Sequence, residues 1–210
     1  MVVGDIGQIG TQFDGFSHQM IDDKVYNCRK VDDIATRNGF TAFGMEKVGT
    51  LITRGVLIDV AALKGVAVLP DSYPITVEDL QAALKRQNLT LRPGDAPIIN
   101  TGWWTNWTKD PAKFVRVNPG LTTAASEWLA RQDPMLVGMD VAPISVTPDP
   151  DPKLNNPSHQ IFLVVNGIHL LENLKLDQLL ASGAQEFALV LQPIKMTGAT
   201  GSTVAPVAMH

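Results

Sequence analysis

Cysteine is almost absent from this chain: Cys28 is the only one among 210 residues. An intrachain disulfide is therefore excluded, and nothing in the fold depends on an oxidising compartment. Cys28 reads as a packed or incidental thiol, with no histidine near it in sequence. An excess of positive charge is missing too. Lys and Arg number 17 against 21 Asp and Glu, a net charge of −4, with no basic cluster. That balance gives no electrostatic footprint for nucleic acid or an anionic membrane. No apolar run is long and uninterrupted enough to span a bilayer. The N-terminus lacks the basic region and apolar stretch of a signal peptide. The expectation is a cytoplasmic protein that engages neither nucleic acid nor membrane.

What remains is an ordinary globular composition, 45% hydrophobic and 18% charged. A chain of this length forms one domain over 1–210 and buries roughly 70% of its unfolded surface. Neither an internal repeat nor a low-complexity segment is visible. The region from Val48 to Ala62 is β-branched and apolar and reads as buried strand. Pro70 to Pro74 is a loop. Thr76, with Asp79 three residues later, caps a helix whose apolar stripe is Leu80, Ala83 and Leu84. Ala96 to Thr101 reads as a strand. Thr122 or Thr123 caps a second helix through Arg131, with Ala125, Trp128 and Leu129 inward. Met135 to Asp140 is a short buried strand. Pro143 to Pro157 holds five prolines and is a long ordered loop. Ser158 to Val164 forms a short helical turn. Ile168 to Glu172 is a strand, Leu176 to Ala181 a helix, and Phe187 to Pro193 another strand. This alternation of strands and helices predicts an α/β core.

The densest chemistry lies between Gln8 and His18. Two amides, a carboxylate and an imidazole fall within eleven residues. In an extended segment Gln8, Gln12 and Asp14 share one face, and His18 folds back after a Gly-containing turn. Oxygen donors with an imidazole suit a hard or borderline divalent ion such as Mn2+, Mg2+ or Zn2+. The same residues also suit a Gly-rich turn with polar surface side chains.

Gly10, Thr11, Asp14 and His18 match the pattern His-x-Gly-Thr-His-x-Asp-x-x-x-His. Gln8 and Gln12 stand where that pattern has histidines. The stretch resembles the signature of the cyclase family of metal-dependent hydrolases, which includes kynurenine formamidase and isatin hydrolase. The resemblance continues through Arg54 to Ala61, Leu91-Arg92-Pro93-Gly94-Asp95, Asn100-Thr101-Gly102-Trp103, Asn118 to Leu121, Gly138-Met139-Asp140 and His159-Gln160. It extends to Asn166-Gly167-Ile168, Leu171 to Leu174 and the tail from Lys195 to Ser202.

Several expectations follow from the resemblance. The fold is a swivelling β/β/α domain with a mixed β-sheet flanked by helices. Family members carry a longer segment before the metal motif, so a shortened chain with exposed sheet edges is expected to be a homodimer or homotetramer. A divalent metal is implied, Mn2+ ahead of Zn2+ because the ligand set is rich in oxygen. Its ligands are drawn from Gln12, Asp14, His18, Gln160 and Glu172, with Gln8 a weaker candidate. His159 and Gln160 are adjacent, about 100° apart on a helix, so one of them reaches the metal. His18, His159 and Glu172 are the candidate acid–base groups. His169 sits where the family has an aromatic residue and is expected to take no part. Phe13, Phe16, Trp103 and Trp104, with Trp107, form an aromatic wall for a flat or cyclic small-molecule substrate. The implied activity is hydrolysis of an amide, lactam or lactone by metal-activated water. The alternative is a non-catalytic relative with a weakened metal site that binds a small molecule or a partner.

Overall fold

The computed structural model describes residues 7–210. Its centre is a mixed eight-stranded sheet. In chain order the strands are β1 (Gln12–Asp14), β2 (Leu51–Asp59), β3 (Ala96–Asn100), β4 (Leu136–Met139) and β5 (His169–Glu172). The last three are β6 (Glu186–Leu191), β7 (Gly201–Thr203) and β8 (Val207–Met209). Across the sheet the order is β7-β1-β5-β4-β3-β2-β6-β8. The four central strands β5, β4, β3 and β2 are mutually parallel. Flanking strands are antiparallel to their inner neighbours. β3 and β4 are buried along their whole length, which explains why they read as continuous apolar runs.

Each face of the sheet has its own core. One contains Val56, Ile58, Ile99, Val137, Met139 and Leu170 and is covered by helices. The opposite core contains Phe13, Leu57, Ile98, Leu171, Phe187 and Leu189. Helix α1 (Val77–Gln87) begins in a complete capping box formed by Thr76 and Asp79 and buries Leu80, Ala83 and Leu84. Helix α2 (Thr123–Ala130) is capped by Thr122 and buries Ala125 and Leu129. The proline-rich stretch is an ordered loop, tied down by the Asn118 amide, which donates to the carbonyls of Pro119, Pro143 and Ser145. The helical turn expected over Ser158 to Val164 starts at Pro157 and continues as a π-helix over Gln160–Asn166. Short helices at Asn106–Lys109 and Pro111–Arg116, and the edge strand β8, were not foreseen from sequence. Among the described residues no helix is long and apolar enough to cross a membrane.

Because the central strands are parallel, their carboxyl ends gather at one edge. Polar side chains follow there: Asp59, Asn100 and Thr101, Asp140, and Glu172. β1 runs the other way, so its first residue, Gln12, pairs with Glu172 at that same edge. Ligands of open α/β sheets bind outside these carboxyl ends.

Candidate metal centre

Side chains on β1 alternate. Asp14 pairs with Leu170, which belongs to the helix-covered core, whereas Phe13 pairs with Leu171 in the opposite core. Gln12 and Asp14 thus share the helix-covered face. After Asp14 the chain turns, with the His18 N–H donating to the Gly15 carbonyl at 3.0 Å. The turn brings His18 Nε2 to 3.9 Å from Asp14 Oδ1. From the far end of the sequence, the turn Pro157–His159 delivers His159 Nε2 to 3.8 Å from Asp14 Oδ2 and 3.5 Å from Glu172 Oε1. The two imidazole rings are 5.8 Å apart, centroid to centroid.

Asp14 is 0% exposed, and neither carboxylate oxygen accepts a hydrogen bond. Nδ1 of buried His159 is likewise without a partner. Buried polar atoms are nearly always satisfied, and a buried charge without a partner costs several kcal/mol. Burial pushes the Asp14 carboxyl above its usual range, against the pull of His18. Burial also drives His159 down to about 3, with the nearby His18 acting in the same direction. Glu172 is raised well above the carboxylate range by burial and then by Asp14. A divalent cation fits this arrangement: ligand atoms of Asp14, His18 and His159 all lie within 4.8 Å of one another. It would give the orphaned carboxylate its counter-charge and the two imidazoles an electrophile.

The remaining candidates take other places. Glu172 is buried beside His159, but both its oxygens are engaged, Oε1 by the Ile144 N–H at 3.0 Å and Oε2 by the Gln12 amide at 2.9 Å. Gln12 therefore spends its N–H on Glu172. Gln160 follows His159 on the helix and turns away from it, and no hydrogen bond ties it to the cluster among the described residues. Gln8, rated below Gln12 from sequence, reaches the cluster: its Nε2 lies 3.2 Å from His18 Nδ1. It does so without strand geometry, because Gly10 breaks the extended run at φ 66°.

The aromatic wall needs correction. Phe13 is 0% exposed and faces the opposite core. Its parity with Gln12 and Asp14 forces that, so it cannot line a pocket on their side. Trp103 is 1% exposed and packed in the helix-covered core, with its indole N–H directed at the Phe114 carbonyl. Phe16 is half-buried and stacks on His169, ring centroids 4.0 Å apart and planes 10° apart. Trp104 lines a cavity of about 450 Å3 together with Trp107, Phe114, Asn173 and Lys175. His169, expected to take no part, lies directly behind the centre, with Nδ1 3.0 Å from the Asp14 carbonyl. Burial lowers its pKa to about 4, opposed by that carbonyl, so the ring is neutral at neutral pH.

Asp140, after β4, holds the start of the tryptophan loop. Its Oδ1 accepts from the N–H and the hydroxyl of Thr101, at 2.9 and 2.7 Å. Burial raises its pKa to about 6 against those hydrogen bonds. A carboxyl whose folded pKa is raised contributes stability at low pH and loses it as pH rises through the folded value. The Asp140-linked stability should therefore be full below about pH 4 and gone above about pH 6. The difference is about 3 kcal/mol. Asp140→Asn should remove this slope from the dependence of melting temperature on pH. An unchanged slope would contradict it.

A model of the family described as putative cyclase matches residues 4–145. No curated protein matches the chain in sequence. Among solved structures, the chain is similar to the crystal structure of a novel cyclase, at 31% identity and a TM-score of 0.85, covering 95% of this chain and 68% of that one. It is also similar to isatin hydrolase A from Ralstonia solanacearum, at 23% identity and a TM-score of 0.70, over 95% and 70% of the two chains. A potential metal-dependent hydrolase with cyclase activity matches at 17% identity and a TM-score of 0.61, over 95% and 77%. At those two identities the likeness is one of fold.

Proposed function

The chain belongs to the putative cyclase family, and from that membership we propose that it is a metal-dependent hydrolase of amide, lactam or lactone bonds in a small cyclic or aromatic substrate. The observation that carries the reading is Asp14, a buried carboxylate with both oxygens free of hydrogen bonds and an imidazole Nε2 facing each of them. Asp14, His18 and His159 would hold the ion. A bound divalent ion polarises a carbonyl and lowers the pKa of water. Three protein donors leave positions open for water and substrate, as in catalytic sites generally. One carboxylate oxygen and two borderline nitrogens admit either Mn2+ or Zn2+, and we favour Mn2+ because a second carboxylate, Glu172, lies beside His159 and adds oxygen to the surroundings.

Glu172 takes the proton from the attacking water and passes it to the leaving nitrogen or oxygen. Gln12 and the Ile144 N–H fix its carboxylate beside His159. His18, with a side chain 24% exposed, is the group on the solvent side, where substrate enters. Gln8 orients its ring through Nδ1. Trp104 offers a flat apolar surface for an aromatic substrate.

One observation favours a second reading, a relative that binds without turnover: the Gln8 and Gln12 amides both bond protein groups. Metal content after dialysis against Mn2+ and Zn2+, with hydrolysis of aryl formamides, lactams and lactones, separates the two. An ion held together with turnover supports the hydrolase. A held ion with no turnover on any of these classes, or no ion held under any condition, overturns the hydrolase and supports the non-catalytic relative with a weakened metal site. His18→Ala should lower turnover at least about 100-fold. Its melting temperature should stay close to wild type, because that side chain is partly exposed. A variant with wild-type turnover would remove His18 from the mechanism.

A further inference from the structure

We propose that His169 is a positioning residue for the metal centre, holding the Asp14 backbone and the turn to His18 from the opposite face of the sheet. The inference rests on the metal reading above and concerns what keeps its ligands in place. Strand β1 ends at Asp14, and within four residues the chain must reverse to present His18 to the Asp14 carboxylate. His169 brackets that reversal. Its Nδ1–H donates to the Asp14 carbonyl at 3.0 Å. Its ring lies against Phe13 before Asp14, at a centroid distance of 4.5 Å, and stacks on Phe16 after it, at 4.0 Å. Phe16 in turn packs on Tyr26 at 4.8 Å. One side chain therefore touches residues 13, 14 and 16 while keeping out of the cluster it supports.

Imidazole is suited to this double contact. A phenyl ring would stack between Phe13 and Phe16 but could not donate to the carbonyl. A carboxamide would donate but could not stack. The hydrogen bond fixes the tautomer, with the proton on Nδ1. The Asp14 peptide plane sets the direction in which its side chain leaves the strand. A ligand must be held within about 0.5 Å of its working geometry, so loss of the hydrogen bond should be felt at the carboxylate.

Two variants separate positioning from packing. His169→Phe keeps the stack and removes the donor. His169→Asn keeps a donor where Nδ1 stands and removes the ring. The readouts are Mn2+ affinity by equilibrium dialysis and the melting temperature without metal. His169→Phe should melt near wild type yet bind Mn2+ about 10- to 100-fold more weakly, the usual effect of losing a group that orients a ligand. His169→Asn should melt lower but recover most of the affinity. Wild-type affinity in His169→Phe, or affinity that follows melting temperature across both variants, overturns the inference alone. A wild-type protein that holds no Mn2+ overturns the metal reading, and this inference with it.

Discussion

Asp14→Ala abolishes retention of metal while leaving the metal-free protein at least as stable as wild type. Among the described residues, alanine removes the only carboxylate whose ligand atoms converge with both imidazoles. Taking one partner from a buried charge pair costs about 3–5 kcal/mol, which is two to nearly four powers of ten in affinity. The metal-free protein gains rather than loses, because the carboxylate is fully buried and neither oxygen has a donor. Its desolvation is a cost that only a cation offsets. The two effects have opposite signs in a melting experiment. Wild type in Mn2+ at one hundred times its dissociation constant should be stabilised by about 2.7 kcal/mol over the EDTA-treated protein. The alanine variant should show no such rise. Elemental analysis gives the second measurement. Near-stoichiometric metal in Asp14→Ala, or an undiminished rise in melting temperature, would sink the assignment of Asp14 and the hydrolase reading with it.

Gly102→Ala should be among the most damaging small substitutions in the chain. Gly102 sits between β3 and the tryptophan loop in the left-handed region, at φ 75° and ψ −1°. That backbone costs an alanine about 1 kcal/mol. A Cβ there would also lie 2.0 Å from the Ala67 carbonyl oxygen and 3.0 Å from its carbon. Both are backbone atoms, so no rotamer change relieves the clash. The strand end must move, loosening the bond from the Leu69 N–H to the Thr101 carbonyl and that from the Gly102 N–H to Asn100 Oδ1. We expect a loss of about 3–5 kcal/mol in urea unfolding. Gly65→Ala is the control. Gly65 has φ 69° but open space around a new Cβ, so it should lose only about 1 kcal/mol. Equal losses would mean that dihedral strain, and not close approach, governs Gly102. The displaced loop carries Trp104, so a folded Gly102→Ala protein should also bind aromatic ligands more weakly.

Much of the scaffold was legible because its signals are local. The Thr76–Asp79 capping box, the Thr122 cap and the apolar runs of β2, β3 and β4 each depend on residues within a few positions of one another. The approach of His18 to Asp14 is of the same kind, a turn over four residues. Parity along β1 already implied that Phe13 faces away from Gln12 and Asp14. The aromatic-wall expectation overlooked it.

Other features had no local signal. Extended geometry was expected to carry Gln8 to the site. Gly10 breaks that geometry, and Gln8 arrives by a loop, its side-chain amide packed against Gly201 where a Cβ would collide with it. The bond between Gln12 and Glu172 spans 160 positions, and that between His169 and Asp14 spans 155. Both depend on the register of β1 against β5. Sequence by itself determined the residue types, the caps and the alternation of faces, since these follow from dihedral preferences and from periods of 2 and 3.6 residues. Which residues meet was decided only by tertiary structure. A shift of one residue in strand pairing would turn every side chain on β1 to the other face, and only burial of the two cores together selects the register that joins Asp14, His18 and His159.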